Sequence, residues 1–305
     1  MTSRELHHPP RLTQVMREQL KVVALSLRLP AIGVAAIVAL ATVLALVHFM
    51  RGQGGVEFAP ELSLIPAFAG ALLPIAVWQS EQRFGSGFLW TLPVDRTRHA
   101  LAKIFAGWVL LMVALAGFVL WLLILALITS GNITGDEMIR LLPTSVVPPP
   151  STLDPSMLRT VRWVFPPVLW LVPFFAATAT YALASAIALG FRHPFRWIAG
   201  AVAAVLLTGA VGQGIGSDEF WVLSSRVVNT LLEGRFGVDA LLTARTESLE
   251  TLVTLSNGQR VTVWRGLPAA GDWITAILLW TALGGAGLFA ALMRHRERRR
   301  SLHSR

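Results

Sequence analysis

Six stretches of this chain contain no Asp, Glu, Lys or Arg, and that absence constrains the fold more than any motif. They are Ala31 to Met50, Leu62 to Trp78, Ile104 to Thr129, Val164 to Leu189, Trp197 to Val211 and Trp273 to Met293. A helix that crosses a bilayer needs about 20 mostly apolar residues. The six stretches meet or approach that length, the second and fifth being short. Only 14% of the 305 residues are charged and 54% are hydrophobic, against about 25% charged in soluble domains. A chain this poor in charge cannot cover a water-facing surface, so lipid must be the solvent for most of it. The expected fold is an all-α polytopic membrane protein with six transmembrane helices, an N-terminal interfacial helix and a small α+β extracytoplasmic cap between spans five and six.

The charges outside these stretches set the orientation. With the N-terminus inside, the cytoplasmic segments hold 17 of the 26 basic residues and five of the 17 acidic ones. The opposite side holds nine basic and twelve acidic residues. The positive-inside rule therefore places both termini in the cytoplasm, and the sequence predicts a multi-pass protein of the cell (inner) membrane. The net charge of +9 is mostly this asymmetry, which argues against nucleic acid as a partner. Some thirty residues precede the first apolar run, which is long for a signal-peptide core, so a retained span is expected there.

The spans divide the rest of the chain. Residues 1–30 form a cytoplasmic leader. Within it Leu12, Val15, Met16, Leu20, Val23 and Leu27 recur at helical spacing, with Arg17, Lys21 and Arg28 largely off the stripe. That pattern predicts an amphipathic helix in the interface, the alternative being a solvated leader whose helicity ends at Pro30. Residues 31–211 hold spans one to five, a cytoplasmic loop at 79–103 and an outer loop at 130–163, whose Pro148-Pro149-Pro150 run is read as extended. Residues 212–272 form the outer cap, with a helix predicted over 218–232. An Asn257-Gly258 turn between two β-rich runs predicts a hairpin. With those two as the turn residues, Glu250 falls opposite Arg265. Span six is 273–293, followed by a basic tail at 294–305.

Several chemistries are disfavoured. The chain has no cysteine, which excludes disulfides, thiolate metal sites and cysteine nucleophiles. Ionisable residues inside the membrane normally carry proton and ion pathways; their absence from the six cores argues against proton-coupled transport, a pump or a voltage sensor. No G-x-x-x-x-G-K-[ST] segment occurs, and Gly212, Gly214 and Gly216 follow a membrane helix where a phosphate loop would follow a strand. No metal or other cofactor is expected in this chain, and no catalytic residue is assigned.

The richest segment in chemistry is the cytoplasmic loop between spans two and three. It contains Glu81, Arg83, Phe84, Gly85, Phe88, Leu92, Pro93, Asp95, Arg96, His99 and Lys103. Two short helical pieces are expected, the second starting near Pro93, with Asp95 in a first turn where the helix dipole favours acid. Arg96, His99 and Lys103 then share one side of the start of span three. A basic anchor alone would require neither Glu81, Gly85 nor the Leu92-Pro93-Val94 turn.

This ordered set resembles the permease subunits of type-2 ABC exporters: a Glu closing span two, a Gly shortly after, Leu-x-x-Leu-Pro-Val-x-Arg, then a Lys leading into span three. The match covers about thirty residues, Trp78 to Gly107, and the layout of spans and loops agrees. The resemblance implies that Phe84 to Val94 dock a separate P-loop ATPase subunit, which holds ATP and Mg. It implies that Glu81, Arg83, Arg96 and Lys103 brace the docking element. A second permease protomer, identical or homologous, and membrane lipids are the other implied partners. Small residues at Ala106 and Gly107, Ala114 and Gly117, and Gly284, Gly285 and Gly287 are expected to pack helices closely. With no charge lining the spans, an apolar or amphipathic cargo is expected. The competing classes are a non-transporting scaffold or sensor with an outer receptor cap, and an integral membrane enzyme acting on lipids.

Overall fold

The computed structural model describes residues 12–52, 54–56, 63–79, 96–131, 136–142, 154–164, 170–191, 229–234, 236–243, 250–264 and 270–303, with isolated positions at 196, 200, 203–204, 207 and 226. Among these the chain is mostly helical, with one small sheet. The helices are α1 (Leu12–Ser26), α2 (Arg28–Met50), α3 (Leu64–Gln79), α4 (Arg96–Ile128), α5 (Val172–Gly190), α6 (Val238–Thr243) and α7 (Ala270–His303). The strands are β1 (Asp136–Leu141), β2 (Arg159–Val164), β3 (Glu250–Thr254) and β4 (Arg260–Trp264).

Four helices are long and apolar enough to cross a membrane: α2, α4, α5 and α7. The second apolar run forms α3, equally apolar but only 16 residues long. The fifth run, at 197–211, lies outside the described residues apart from isolated helical positions such as Gly200 and Leu207. The helix predicted over 218–232 likewise lies largely outside them, and a single π-helical turn, Asn229–Glu233, is described at its end.

Helix α5 is the hub of the bundle, packing chiefly against α3 and α7, and also against α4 and α6. Its sequence explains the role, because alanines fill it and Ala176, Ala177, Ala179 and Ala186 are buried. Without hydrophobic pressure between lipid-facing helices, close backbone approach supplies much of the association energy, and small residues permit it. A Cβ on Gly70 of α3 would lie 2.5 Å from the Ala177 carbonyl oxygen, and one on Gly284 of α7 would lie 2.8 Å from the Ala182 Cβ. The expected packing role of the small residues therefore holds for Gly107, Gly284 and Gly287. Gly117 and Gly285 face open space. Hydroxyl groups add short links between helices. Thr180 donates to the Ala67 carbonyl at 2.9 Å, and Trp108 Nε1 donates to Thr178 Oγ1 at 3.2 Å.

Helix α2 stands apart, with no buried residue along its length. Trp121 Nε1 of α4 donates to Thr42 Oγ1 at 2.9 Å. Beyond its C-terminus, the Val56 amide donates to Thr129 Oγ1 at 2.9 Å, clasping the chain after α2 to the end of α4.

The sheet departs from expectation in two ways. Residues 130–163 were expected to form an outer loop, yet they contribute β1 and all but the last residue of β2. The strand order is β2-β1-β4-β3, with β1 antiparallel to β2 and parallel to β4. The cap therefore draws half its strands from a loop four elements earlier in the chain. Val164, read as the start of span four, closes β2, and α5 begins at Val172 with a proline in its first turn, where the fixed φ is favourable.

The second departure is the hairpin register. Glu250 lies opposite Trp264 and Thr254 opposite Arg260, one residue away from the predicted pairing with Arg265. A two-residue type I′ turn needs positive φ at both Asn257 and Gly258, and only Gly258 has it, at 80°. The loop takes three residues instead. The amide of Leu255 donates to the Gln259 carbonyl and that of Gly258 to the Leu255 carbonyl, each at 2.8 Å, while Asn257 Oδ1 accepts from the Gln259 amide at 3.0 Å. This register puts Val253, Leu255, Val261 and Val263 on one face with Leu142, forming the core of the cap.

Helix α6 packs on the bundle. Leu241 is buried with Ala67, Val172, Ala176, Trp273 and Ile277. Ser63 Oγ donates to the Leu242 carbonyl, and Trp280 Nε1 donates to the Phe236 carbonyl at 2.9 Å. Trp163 of β2 packs on the same cluster and lies 5.4 Å, ring to ring, from Trp264 of β4.

The leader helix expected before span one is present as α1, and the alternative in which helicity ends at Pro30 does not hold. Pro30 sits in the first turn of α2, where its missing N–H costs nothing. Helix α7 continues through the basic tail as far as His303.

Candidate functional site: the brace around residues 80–95

At one end of the bundle α3 stops at Gln79 and α4 starts at Arg96. Residues 80–95 join them, so Glu81, Arg83, Phe84, Gly85, Phe88, Leu92 and Pro93 lie outside the described residues. Arg96 opens α4. The two stems of the loop are described, and α1 is packed across them.

The apolar stripe of α1 makes that packing. Val23 is fully buried with Val77 and Trp78 of α3 and Ala100 and Ile104 of α4, and Leu20 and Leu27 pack on the same cluster. Val15 and Met16 are half-buried, whereas Arg17, Glu18 and Lys21 are exposed. The stripe is the predicted one, and it is spent on the protein itself, against α4 above all. Val15, Gln19 and Val23 are spaced by one helical turn, so Gln19 falls within the buried side. There Gln19 Nε2 and His99 Nδ1 are 3.4 Å apart, a link between α1 and the first turn of α4.

One turn further along α4, Lys103 is only 1% exposed. A buried ammonium needs compensation. Part of it comes from Trp78, whose ring centroid is 4.8 Å from Nζ, within the range of a cation–π interaction. His99 and Lys103 are one turn apart, so both point to the same side of α4. Lys103 was expected to brace the loop at the membrane surface; it is placed as a buried strut between α3 and α4. On the exposed side of α1, Lys21 pairs with Glu18 at 2.8 Å. The hydrogen bond and charge of Lys21 hold the Glu18 carboxyl below its usual value.

Three arms therefore meet beside the loop. Gln19 comes from α1, Trp78 from the end of α3, and His99 and Lys103 from the start of α4. Gln19 is the residue that sequence reading passed over, and the signal was present: a polar side chain in phase with Val15 and Val23. Among the described residues no group of three His, Asp or Glu side chains is arranged to hold a metal ion. Among the described residues, these side chains tie the ends of α1, α3 and α4 together.

No protein-family model, no curated protein and no solved structure matches this chain.

Proposed function

We propose that this chain is the membrane permease subunit of an ATP-driven exporter, with six spans and both termini in the cytoplasm of a cell whose inner membrane it occupies. Residues 84–94 dock a separate P-loop ATPase, and two such ATPases drive two permease protomers. ATP-driven closure pushes the docking loops; the helices rearrange around a shared pathway, and no covalent chemistry occurs in this chain. The observation that carries the reading is the brace. Loop stems tied by Gln19 to His99 and by Lys103 to Trp78 deliver a push on residues 80–95 into the 33-residue α4. From α3 the same push reaches α5, the hub. A loop serving only as a basic anchor needs no such rigid stems. With the described spans free of charged residues beyond their ends, the cargo is apolar or amphipathic.

The test is co-purification of the full-length chain with a P-loop ATPase encoded beside it. The intact protein retains the ATPase, and Glu81→Ala or deletion of 84–94 releases it. A deletion variant that still inserts in the membrane and still retains the ATPase overturns the docking assignment. A non-transporting scaffold or sensor draws support from one feature, the sheet built from two separate loops. It is favoured if no ATPase is retained by the intact chain.

A further inference from the structure

The free side of α1 continues into α2 as a feature that transport does not use. Lys21, Ala24, Arg28, Ala31 and Ala35 lie along one open groove of about 800 Å³, walled by Leu25 and Ile32. Small-ligand sites occupy about 300–1,000 Å³. The steps between these residues are three, four or seven, so they form one stripe. The backbone carries the stripe through the junction: the Leu27 amide donates to the Val23 carbonyl at 3.1 Å, and the Ala31 amide to the Leu27 carbonyl at 2.8 Å. The opposite side of α1 is committed to α3 and α4 through Val23. The groove therefore faces outward, and its walls are bare, Leu25 being 71% and Ile32 57% exposed.

Two properties define the occupant. The floor is alanine, and the only polar lining residues are two cations, with no acid among the lining. Arg28 is the first residue of α2, the point at which the chain becomes wholly apolar. The cations thus sit at the mouth of an apolar channel that runs along a membrane helix. A soluble anion would leave the alanine floor uncovered. A partner helix would cover the floor and leave Arg28 unmatched, Lys21 being already paired with Glu18 one turn earlier. An anionic phospholipid matches both, since an arginine fork suits phosphate oxygens and an acyl chain suits Ala31, Ile32 and Ala35.

We propose that this groove binds one anionic phospholipid from the leaflet that receives α1, its phosphate between Arg28 and Lys21 and one acyl chain along Ala31 and Ala35. The site lies on the side of α1 opposite the face packed on α3 and α4. It does not depend on the transport reading.

The experiment is native mass spectrometry of the full-length protein released from micelles doped equally with phosphatidylglycerol and phosphatidylcholine. The wild type retains phosphatidylglycerol in preference. Lys21→Gln and Arg28→Gln each lower that preference about fivefold, the worth of one basic residue near an anionic surface. Ala31→Leu with Ala35→Leu keeps both cations, fills the floor and also abolishes the preference. If the leucine variant retains the wild-type preference, the attraction is diffuse surface charge and the proposal is overturned. An unchanged preference in the glutamine variants overturns it equally. Should the leucine pair aggregate, Ala24→Leu narrows the groove between the cations and reads the same outcome.

Discussion

Replacing Gly70 by alanine tests whether α5 is the hub that the packing implies. The new Cβ would stand 2.5 Å from the Ala177 carbonyl oxygen and from Thr180 Oγ1, and 3.1 Å from the Ala177 Cα, where ordinary contact begins near 3.4 Å. Thr180 can rotate away, but the Ala177 backbone cannot, so α3 and α5 must separate by roughly 0.9 Å. Overpacking of this kind costs about 1–3 kcal/mol. The same separation stretches the 2.9 Å bond from Thr180 to the Ala67 carbonyl, and interhelical bonds in membranes average about 0.6 kcal/mol. Alanine's better helix propensity returns up to about 1 kcal/mol. The net expectation is a loss of about 1–2 kcal/mol. Gly117→Ala is the matched control, because nothing lies within 4 Å of its Cβ; only the propensity gain applies there. Unfolding free energies from detergent titration of purified proteins compare the two. If Gly70→Ala is as stable as Gly117→Ala, the close approach of α3 to α5 is wrong.

Three further perturbations address separate parts of the structure. Tyr181 donates to the Ile104 carbonyl at 2.8 Å, and Tyr181→Phe should cost about 1 kcal/mol. A Cβ on Gly107 would collide with the Tyr181 hydroxyl, so Tyr181→Phe should partly rescue Gly107→Ala, and additive losses in a double-mutant cycle would contradict that contact. In the hairpin, Gly258→Ala meets no neighbour within 4 Å but keeps φ at +80°, costing about 1–2 kcal/mol; slower exchange of the β3 and β4 amides in the variant would refute the three-residue turn. Asp154 Oδ1 accepts from the Ser156 amide at 3.0 Å, and that bond, with the Ser156 hydroxyl, holds the carboxyl below its usual value. A lowered folded-state value stabilises the turn above the ordinary carboxylate range and loses that contribution as pH falls through it. The protection of the Ser156 amide, measured against an unstructured chain at the same pH, should therefore fall on acidification in the wild type and be low at every pH in Asp154→Ala. Equal protection of the two proteins at neutral pH would refute the cap.

Sequence reading succeeded where a signal is local and long. The apolar runs of α2, α4, α5 and α7 were visible, as was the stripe from Val15 to Leu27 on α1. The Asn257-Gly258 turn announced a hairpin, but the choice between a two- and a three-residue loop rests on the φ of one residue, and composition does not report it. Strand β2 was hidden by its neighbour: Arg159 to Val164 alternates as a strand should, yet Val164 runs on into Phe165 and the apolar segment beyond. Strand β1 has only six residues, and its partner β4 lies far along the chain, so no local window contains the pairing. For the brace, the placement of His99 and Lys103 on one side of α4 was legible. That α1 would supply Gln19 to His99 was not, because an amphipathic stripe looks the same whether it faces lipid or protein.

The parallel pairing of Leu141 with Trp264 has a consequence for biogenesis. All of α5 and α6 lies between the two strands, so β1 and β2 leave the ribosome long before their third strand exists. Until β4 arrives, β1 presents an open backbone edge, the feature through which unfinished sheets aggregate. Closure of the sheet requires that α5 be inserted and that the chain beyond it reach the same side as β1. A chain truncated before residue 260 lacks β4 and leaves β1 without its parallel neighbour.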